Sequence, residues 1–333
     1  MGEKVIIRSA TVDRHGDYIP LQHLEDYVNT VNGNQKLRYL INHRRDLPPI
    51  GYFDNAEIQL QSNLYHVLVE PIAFHNKTIV SWNNSLIIED AGLPITFIQR
   101  NEMLDQVRIS ADKNNFKSFD SFNEIGAKLQ SLYDEPIALE ASIRKSLILD
   151  PQIVITIGTY YSVVYPLLKP FLKKIGERFA DDIADDIYET GKVKAKKLVN
   201  SIADSVAVLR KVMIPENKSL ITIFEIPGVP YIELQIRSDS SIEILKAISS
   251  SKLSKIHKQV SDLEKNIDIS EIYFIYNKKE KWEFTYLITK SGQTIGTKEA
   301  FNRRNKLVKR VNLSPTKAFS IGAEGVKFQK FQK

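Results

Sequence analysis

Three polar residues at helical spacing lie in a largely apolar run, and their spacing gives the chain its clearest chemical signal. The run from Pro151 to Leu168 carries no charge over 18 residues. As a helix it would span roughly 27 Å, close to the hydrocarbon core of a bilayer at about 30 Å. Gln152, Thr156 and Thr159 recur at helical spacing, so they would share a face that lines a water-filled path. We therefore predict a pore-lining transmembrane helix, with a buried core helix or two β-strands as alternatives.

Four aspartates downstream of the run form a second candidate site. They make two i, i+4 pairs on a segment whose apolar residues repeat every three or four positions, which predicts a long amphipathic helix. The four residues are Asp181, Asp182, Asp185 and Asp186. Their arrangement indicates a cation site or an acidic ring at a pore mouth, and the alternative is a solvated face complemented by the lysines that follow. The apolar stripe of the same helix predicts a homo-oligomer.

Basic residues are concentrated in two places, and both predict contacts with anions. Arg44 and Arg45 are adjacent in the first, and Arg303 and Arg304 are adjacent in the second. Residues 298–333 carry ten lysines and arginines against two glutamates, whereas the whole chain has a net charge of +6. A basic tail of this kind attracts anionic lipid or nucleic acid. A solvated tail that only aids solubility is the alternative.

Composition excludes several classes of protein. The chain of 333 residues has no cysteine, so it has neither disulfides nor cysteine-ligated zinc, which fits a reducing cytoplasm. The first residues lack the apolar core of a signal peptide, so we do not expect export. The histidines show no metal-ligand spacing, and phosphate-binding and dinucleotide-binding glycine motifs are missing from the sequence. We expect no metal and no cofactor.

The elements around these residues predict an α+β, multidomain protein. Residues 1–150 form a β-rich domain with a short helix over 21–32, and residues 151–215 form the single apolar transmembrane helix and the long amphipathic helix. Residues 216–297 read as two strands, two helices and further strands, which indicates a two-layer α/β sandwich. Residues 298–333 are the basic tail.

One stretch of the N-terminal domain resembles a known family. The run ATVDRHGDYIPLQHLEDYVN, followed by LINHRRDLPPIGYFDNAEI and LYHVLVEP, is similar to the N-terminal half of phage prohead-protease-like domains. The resemblance covers Ala10 to about Pro71. It implies a general base at His43 and a nucleophilic serine on a later strand, for which Ser110 is best placed, although no glycine follows it. The arginines beside His43 favour the neutral imidazole that a base needs, and they equally suit an anion-binding loop.

The order of the domains carries a second resemblance. A β-rich domain, one apolar segment, a charged helix and an α/β module together resemble bacterial defence-island proteins, in particular the membrane effector of Hailong-type anti-phage modules. The resemblance implies an oligomeric, pore- or channel-forming effector at the bacterial inner membrane, with cytoplasmic domains, that is held inactive until triggered. It also implies regulation by a nucleotide or oligonucleotide from a partner nucleotidyltransferase. A serine peptidase of the prohead type and a soluble ligand-binding protein with a buried apolar segment are the alternatives.

Overall fold

Two compact units make up the chain. The computed structural model describes residues 4–11, 18–82, 84–98, 106–142, 150–157, 185–312, 318–319 and 328–329. Unit 1 comprises Met1–Gln99, Ile143–Ile148 and Thr285–Lys333. Unit 2 comprises Arg100–Ser142 and Leu149–Phe284. Each unit mixes sheets with helices.

The described residues contain six α-helices, named in chain order. They are α1 (Leu21–Asn32), α2 (Phe119–Gln130), α3 (Asp185–Arg210), α4 (Ser241–Ala247), α5 (Ser250–Glu264) and α6 (Lys298–Asn312). The predicted helix over 21–32 is confirmed as α1. Within the described ranges, no helix combines the length and the apolar composition that crossing a bilayer requires.

The strands are likewise numbered in chain order. Those of the N-terminal hundred residues are β1 (Val5–Ser9), β2 (Gln35–Lys36), β3 (Arg38–Tyr39), β4 (Gly51–Gln61), β5 (Leu64–Ala73), β6 (Asn76–Trp82), β7 (Asn84–Asp90) and β8 (Thr96–Phe97). The middle of the chain contributes β9 (Arg108–Asp112), β10 (Ala138–Ser142), β11 (Gln152–Thr156), β12 (Ile221–Ile226) and β13 (Tyr231–Arg237). The remaining strands are β14 (Ile269–Tyr276), β15 (Trp282–Thr289), β16 (Thr294–Thr297), β17 (Ala318–Phe319) and β18 (Phe328–Gln329).

Unit 1 is built on a six-stranded antiparallel sheet in the order β17-β18-β1-β5-β4-β3. Helix α1 contributes the buried Leu24 and Val31 to a core with Phe53, Val67 and Val69 from the sheet. Val67 and Val69 stand two positions apart on β5, as expected for a strand with one face on a core. In the same unit, β7 pairs antiparallel with both β6 and β16.

Unit 2 contains six neighbouring strands in the order β10-β9-β11-β12-β13-β14. Parallel and antiparallel pairs alternate across them, and the β13–β14 pair is parallel because α4 and α5 supply the crossover between the two strands. The strands and helices predicted for 216–297 therefore occur in the predicted order, from β12 to β16.

The prediction of a single apolar transmembrane helix that begins at Pro151 is wrong. Residues 152–156 form β11, which lies between β9 and β12, rather than the start of a helix. Ile153 and Ile155 are completely buried, and Gln152 and Thr156 are nearly so. A central strand is covered by neighbours on both faces, so it reads as an unbroken apolar run. Thr159 and the rest of the apolar run lie outside the described residues.

The predicted polar stripe also has a different meaning in a strand. Gln152 and Thr156 still share a face, because a spacing of four residues is a multiple of the strand period of two. That face lies inside the protein: the Thr156 hydroxyl donates to Glu225 Oε2 at 2.7 Å, and Arg108 Nη2 donates to the same hydroxyl at 3.4 Å. The backbone N–H of Gln152 donates to the side chain of the buried Asn115. These contacts replace the predicted pore lining.

Replacing Ile155 tests whether this segment is a core strand. Ile155 faces Ile109 and Phe224 on the two neighbouring strands, and all three are fully buried. We expect Ile155→Ala to lower the free energy of unfolding by about 2–5 kcal/mol because it leaves a cavity. The matched variant Val154→Ala changes the half-buried neighbouring residue and should lower the free energy of unfolding by about 1 kcal/mol. Denaturant unfolding measures both, and equal losses would contradict the assignment.

Candidate anion-binding site

The loop between β3 and β4 holds three of the residues singled out in the sequence. Asn42 and His43 have positive φ values of 47° and 53°, in the left-handed region, and both are buried. The turn they make is closed by the backbone N–H of Arg44, which donates to the carbonyl of Ile41 at 3.0 Å. The chain therefore reverses direction at Asn42 and His43, directly before Arg44 and Arg45.

Arg44 forms a two-pronged ion pair within this loop. Its Nε donates to Asp46 Oδ1 and its Nη2 to Asp46 Oδ2, both at 2.6 Å. Burial alone would raise the pKa of the Asp46 carboxyl, but the Arg44 hydrogen bonds and the charges of Arg44 and Arg303 outweigh it and lower that pKa. Arg44 is thus committed to a carboxylate of its own loop.

Helix α6 brings the second pair of predicted arginines to the same unit. It begins where the Thr297 hydroxyl accepts a hydrogen bond from the N–H of Ala300, a typical N-cap. Glu299 in its first turn and Lys309 and Arg310 in its last turn suit the helix dipole. Position 296, in the strand before the helix, is glycine, and a side chain there would collide with Tyr286 and with the Thr285 carbonyl.

Arg304 points inward from α6 and is almost fully buried. Its Nη1 lies 2.8 Å from Glu89 Oε2, its Nη2 donates to Glu89 Oε1 at 3.1 Å, and Nη1 also donates to the Pro49 carbonyl at 2.7 Å. Its guanidinium also lies over the ring of the buried Phe301, 4.8 Å from the centroid. One side chain thereby ties the helix to β7 and to the loop that carries His43.

The structure brings the four predicted arginines into one unit but gives them different environments. Arg44 and Arg304 are each held by a carboxylate, and Arg304 has little access to solvent. Arg303 is half-buried and close enough to Asp46 to lower the pKa of that carboxyl. The backbone carbonyl of the half-buried Arg45 accepts a hydrogen bond from Tyr286 Oη at 2.9 Å.

The other predicted site residues are distributed over both units. His43 lies in unit 1 and Ser110 lies on β9 of unit 2, so neither unit by itself holds the predicted catalytic pair. Asp181 and Asp182 lie outside the described residues, and Asp185 and Asp186 open α3 with side chains that are likewise outside them. Among the described residues, no group of three or more acidic or histidine side chains is arranged to hold a metal ion.

Two features of unit 1 were missed in the sequence. Glu89, the partner of Arg304, stands 215 positions away in the chain, and no local pattern reveals such a pairing. Ser9 and His66 are hydrogen bonded at 2.7 Å across two strands. Such a contact depends on the register of the two strands, which cannot be read from the sequence.

Breaking the buried ion pair should destabilise unit 1. We expect Arg304→Met to lower the free energy of unfolding by about 3–5 kcal/mol, because it leaves the Glu89 carboxylate buried without its cation. The double variant Arg304→Met/Glu89→Met should recover most of this loss. Exposed Arg310 provides the control, and Arg310→Met should stay within about 0.5 kcal/mol of the wild type. Chemical denaturation distinguishes these outcomes, and an additive double variant would argue against the pair.

The lowered pKa of Asp46 predicts an acid-sensitive contribution to stability. Because the folded-state pKa lies below the unfolded value of about 3.9, the ionised carboxylate stabilises the fold at and above that pH. The contribution is lost as the pH falls through the folded-state pKa. Asp46→Asn should cost about 1–3 kcal/mol at neutral pH and should lessen the loss of stability below about pH 4. Melting temperatures across pH test this, with the exposed Glu25→Gln as a control that keeps the wild-type acid profile.

Comparison with known proteins gives no match that would identify this site. No family model, no curated protein and no solved structure matches the chain. The resemblances to prohead-protease-like domains and to anti-phage membrane effectors therefore stay predictions. The site is defined by its own contacts, as a basic helix anchored through one buried arginine on a unit whose adjoining loop carries two further arginines.

Proposed function

We propose that this protein binds an oligonucleotide through the outer face of α6, with the phosphate backbone as the group recognised. The observation that supports the proposal is the sorting of charge around this helix. Its exposed positions carry four cations and a single carboxylate, in addition to one asparagine. They are Lys298, Lys306, Lys309, Arg310, Glu299 and Asn302.

Helical geometry places these cations along one line. At about 100° and 1.5 Å per residue, the exposed positions from 298 to 310 fall within one arc and extend over roughly 18 Å. Phosphates follow one another along a nucleic-acid strand, so a row of cations neutralises several of them and releases their counterions. The half-buried Arg303 borders the same arc and adds a fifth cation to it.

The opposite face of the helix argues against a lipid surface as the partner. An amphipathic helix that lies in a membrane interface inserts its apolar face among the acyl chains. On α6, Ala300 and Phe301 are fully buried in unit 1, so these side chains are committed to the protein. A polar strand of phosphates needs only the outer, charged face. Nucleic acid therefore suits the exposed chemistry better than a bilayer does.

The proposal reassigns the roles of the predicted anion-binding residues. Arg44 and Arg304 serve as anchors, because their guanidinium groups are already paired with Asp46 and Glu89. Recognition falls to the exposed Lys298, Lys306, Lys309 and Arg310. If the chain is the regulated effector that its domain order predicts, an oligonucleotide bound at α6 is its regulatory ligand. The membrane, the pore and the role in anti-phage defence stay predictions from sequence.

The dependence of binding on salt tests the proposal. Four phosphate contacts to a single strand give a slope of about −3 in a plot of log affinity against log salt concentration. Lys306→Gln/Lys309→Gln should weaken binding and reduce the magnitude of that slope by about 1.4. Fluorescence anisotropy of a labelled 20-nucleotide strand measures both quantities.

The control for this experiment is a pair of lysines with the same spacing on another helix. Lys255 and Lys258 are exposed on α5, three positions apart like Lys306 and Lys309. Lys255→Gln/Lys258→Gln removes the same charge from the chain, and we expect it to leave the slope unchanged. Equal losses in the two variants would show a non-specific effect of net charge and overturn the proposal. If Lys306→Gln/Lys309→Gln weakens binding to anionic vesicles and leaves binding to the oligonucleotide unchanged, lipid is the partner and the proposal is wrong.

A further inference from the structure

A serine and a histidine are hydrogen bonded on the sheet of unit 1, apart from helix α6. Ser9 is the last residue of β1, and it faces His66 on the neighbouring antiparallel strand β5. The distance from Ser9 Oγ to His66 Nδ1 is 2.7 Å. Both residues are half-buried, so the sheet holds the pair without enclosing it completely. Such a contact is what a serine needs to lose its proton as it attacks.

An irregularity in β1 is what places Ser9 in this position. Up to Ile6 the two strands are in register with Leu68 opposite, but the register then shifts by one residue. In a regular pair, Arg8 would face His66. The shift sends Arg8 opposite Val67, where its guanidinium lies 5.3 Å from the centre of the Tyr27 ring. Bulges of this kind re-aim side chains and are over-represented next to active sites.

The residues around the pair leave the imidazole available to act as a base. Gln59 lies opposite His66 on the other neighbouring strand, and its amide bonds with Glu57 and Gln61 at 2.9 Å each. No carboxylate among the described residues is hydrogen bonded to His66. The pair is thus a dyad in the described structure. A dyad without an orienting acid suits esters better than peptide bonds, because an alcohol leaves more readily than an amine.

An apolar side chain marks the substrate side of the pair. Leu64 lies two residues before His66 on β5 and therefore on the same face, where it is 40% exposed. A short apolar acyl group would lie against Leu64, and the leaving alcohol would be open to solvent. The chemistry fits small carboxylic esters and does not require a deep pocket.

We infer that Ser9 is a nucleophile with His66 as its general base, acting on small carboxylic esters. The hydroxyl proton of Ser9 passes to His66 Nδ1 while Oγ bonds to the acyl carbon. The bond from that carbon to the alkoxy oxygen breaks, and the leaving alcohol takes the proton from the imidazolium. Water then attacks the acyl carbon while His66 accepts a proton from it. The bond from that carbon to Ser9 Oγ breaks and the imidazolium returns the proton to Oγ, so that the carboxylic acid is released and Ser9 is restored.

Labelling with a fluorophosphonate tests this inference on the full-length chain. Ser9 Oγ would bond to phosphorus and displace fluoride, and the adduct is detected by intact mass. We expect the wild type and the Ser110→Ala control to be labelled at equal rates, and Ser9→Ala not to be labelled. His66→Gln, which keeps a hydrogen-bonding group at the position but no base, should be labelled at least about 100-fold more slowly.

Peptide mapping of the labelled wild type makes the result independent of how the variants fold. Trypsin releases residues 9–14 as one peptide and residues 109–113 as another, which separates Ser9 from Ser110. An adduct on the first peptide supports the inference. An unlabelled wild type, or an adduct only on another peptide, overturns it. Either result leaves the oligonucleotide proposal unaffected, because α6 is not involved.

Discussion

Arg304 is the side chain on which the arrangement of unit 1 depends. Its guanidinium group spans Glu89 on β7 and the carbonyl of Pro49, so a helix near the C-terminus is fixed to a strand and a loop from the first hundred residues. A charge pair this deeply buried is stable only when both members are present and well hydrogen bonded. Arg304 can therefore face the interior because Glu89 lies there to neutralise it, whereas the lysines of the same helix are exposed to solvent.

The anchoring of α6 determines what its other face can do. Because Ala300, Phe301 and Arg304 are committed to unit 1, the remaining lysines and Arg310 form a row of cations with one acidic neighbour. Charge on a rigid helix keeps its spacing, whereas charge on a free tail does not. The same residues that predicted a basic tail thereby become a surface with a defined geometry, which suits the regular phosphates of a nucleic-acid strand.

Unit 2 shows how a buried strand can imitate a membrane segment. β11 has neighbours on both sides, and the side chains on both of its faces are largely buried. Burial on two faces favours the same unbroken apolar composition that lipid does. The polar Thr156 is accommodated because Glu225 and Arg108 lie beside it on the adjacent strands. Burial in a sheet and burial in lipid differ in the partners of the backbone, which composition does not reveal.

The sequence by itself determined the local elements of this protein. Helix α1 and the order of strands and helices from β12 to β16 follow from periodicity and breakers, because those signals act over a few residues. Only the tertiary structure decided which residues meet. The pairing of Arg304 with Glu89, the register that sets Ser9 against His66, and the place of β11 between two strands join positions 42 to 215 residues apart. Such contacts depend on packing and register, which no local pattern encodes.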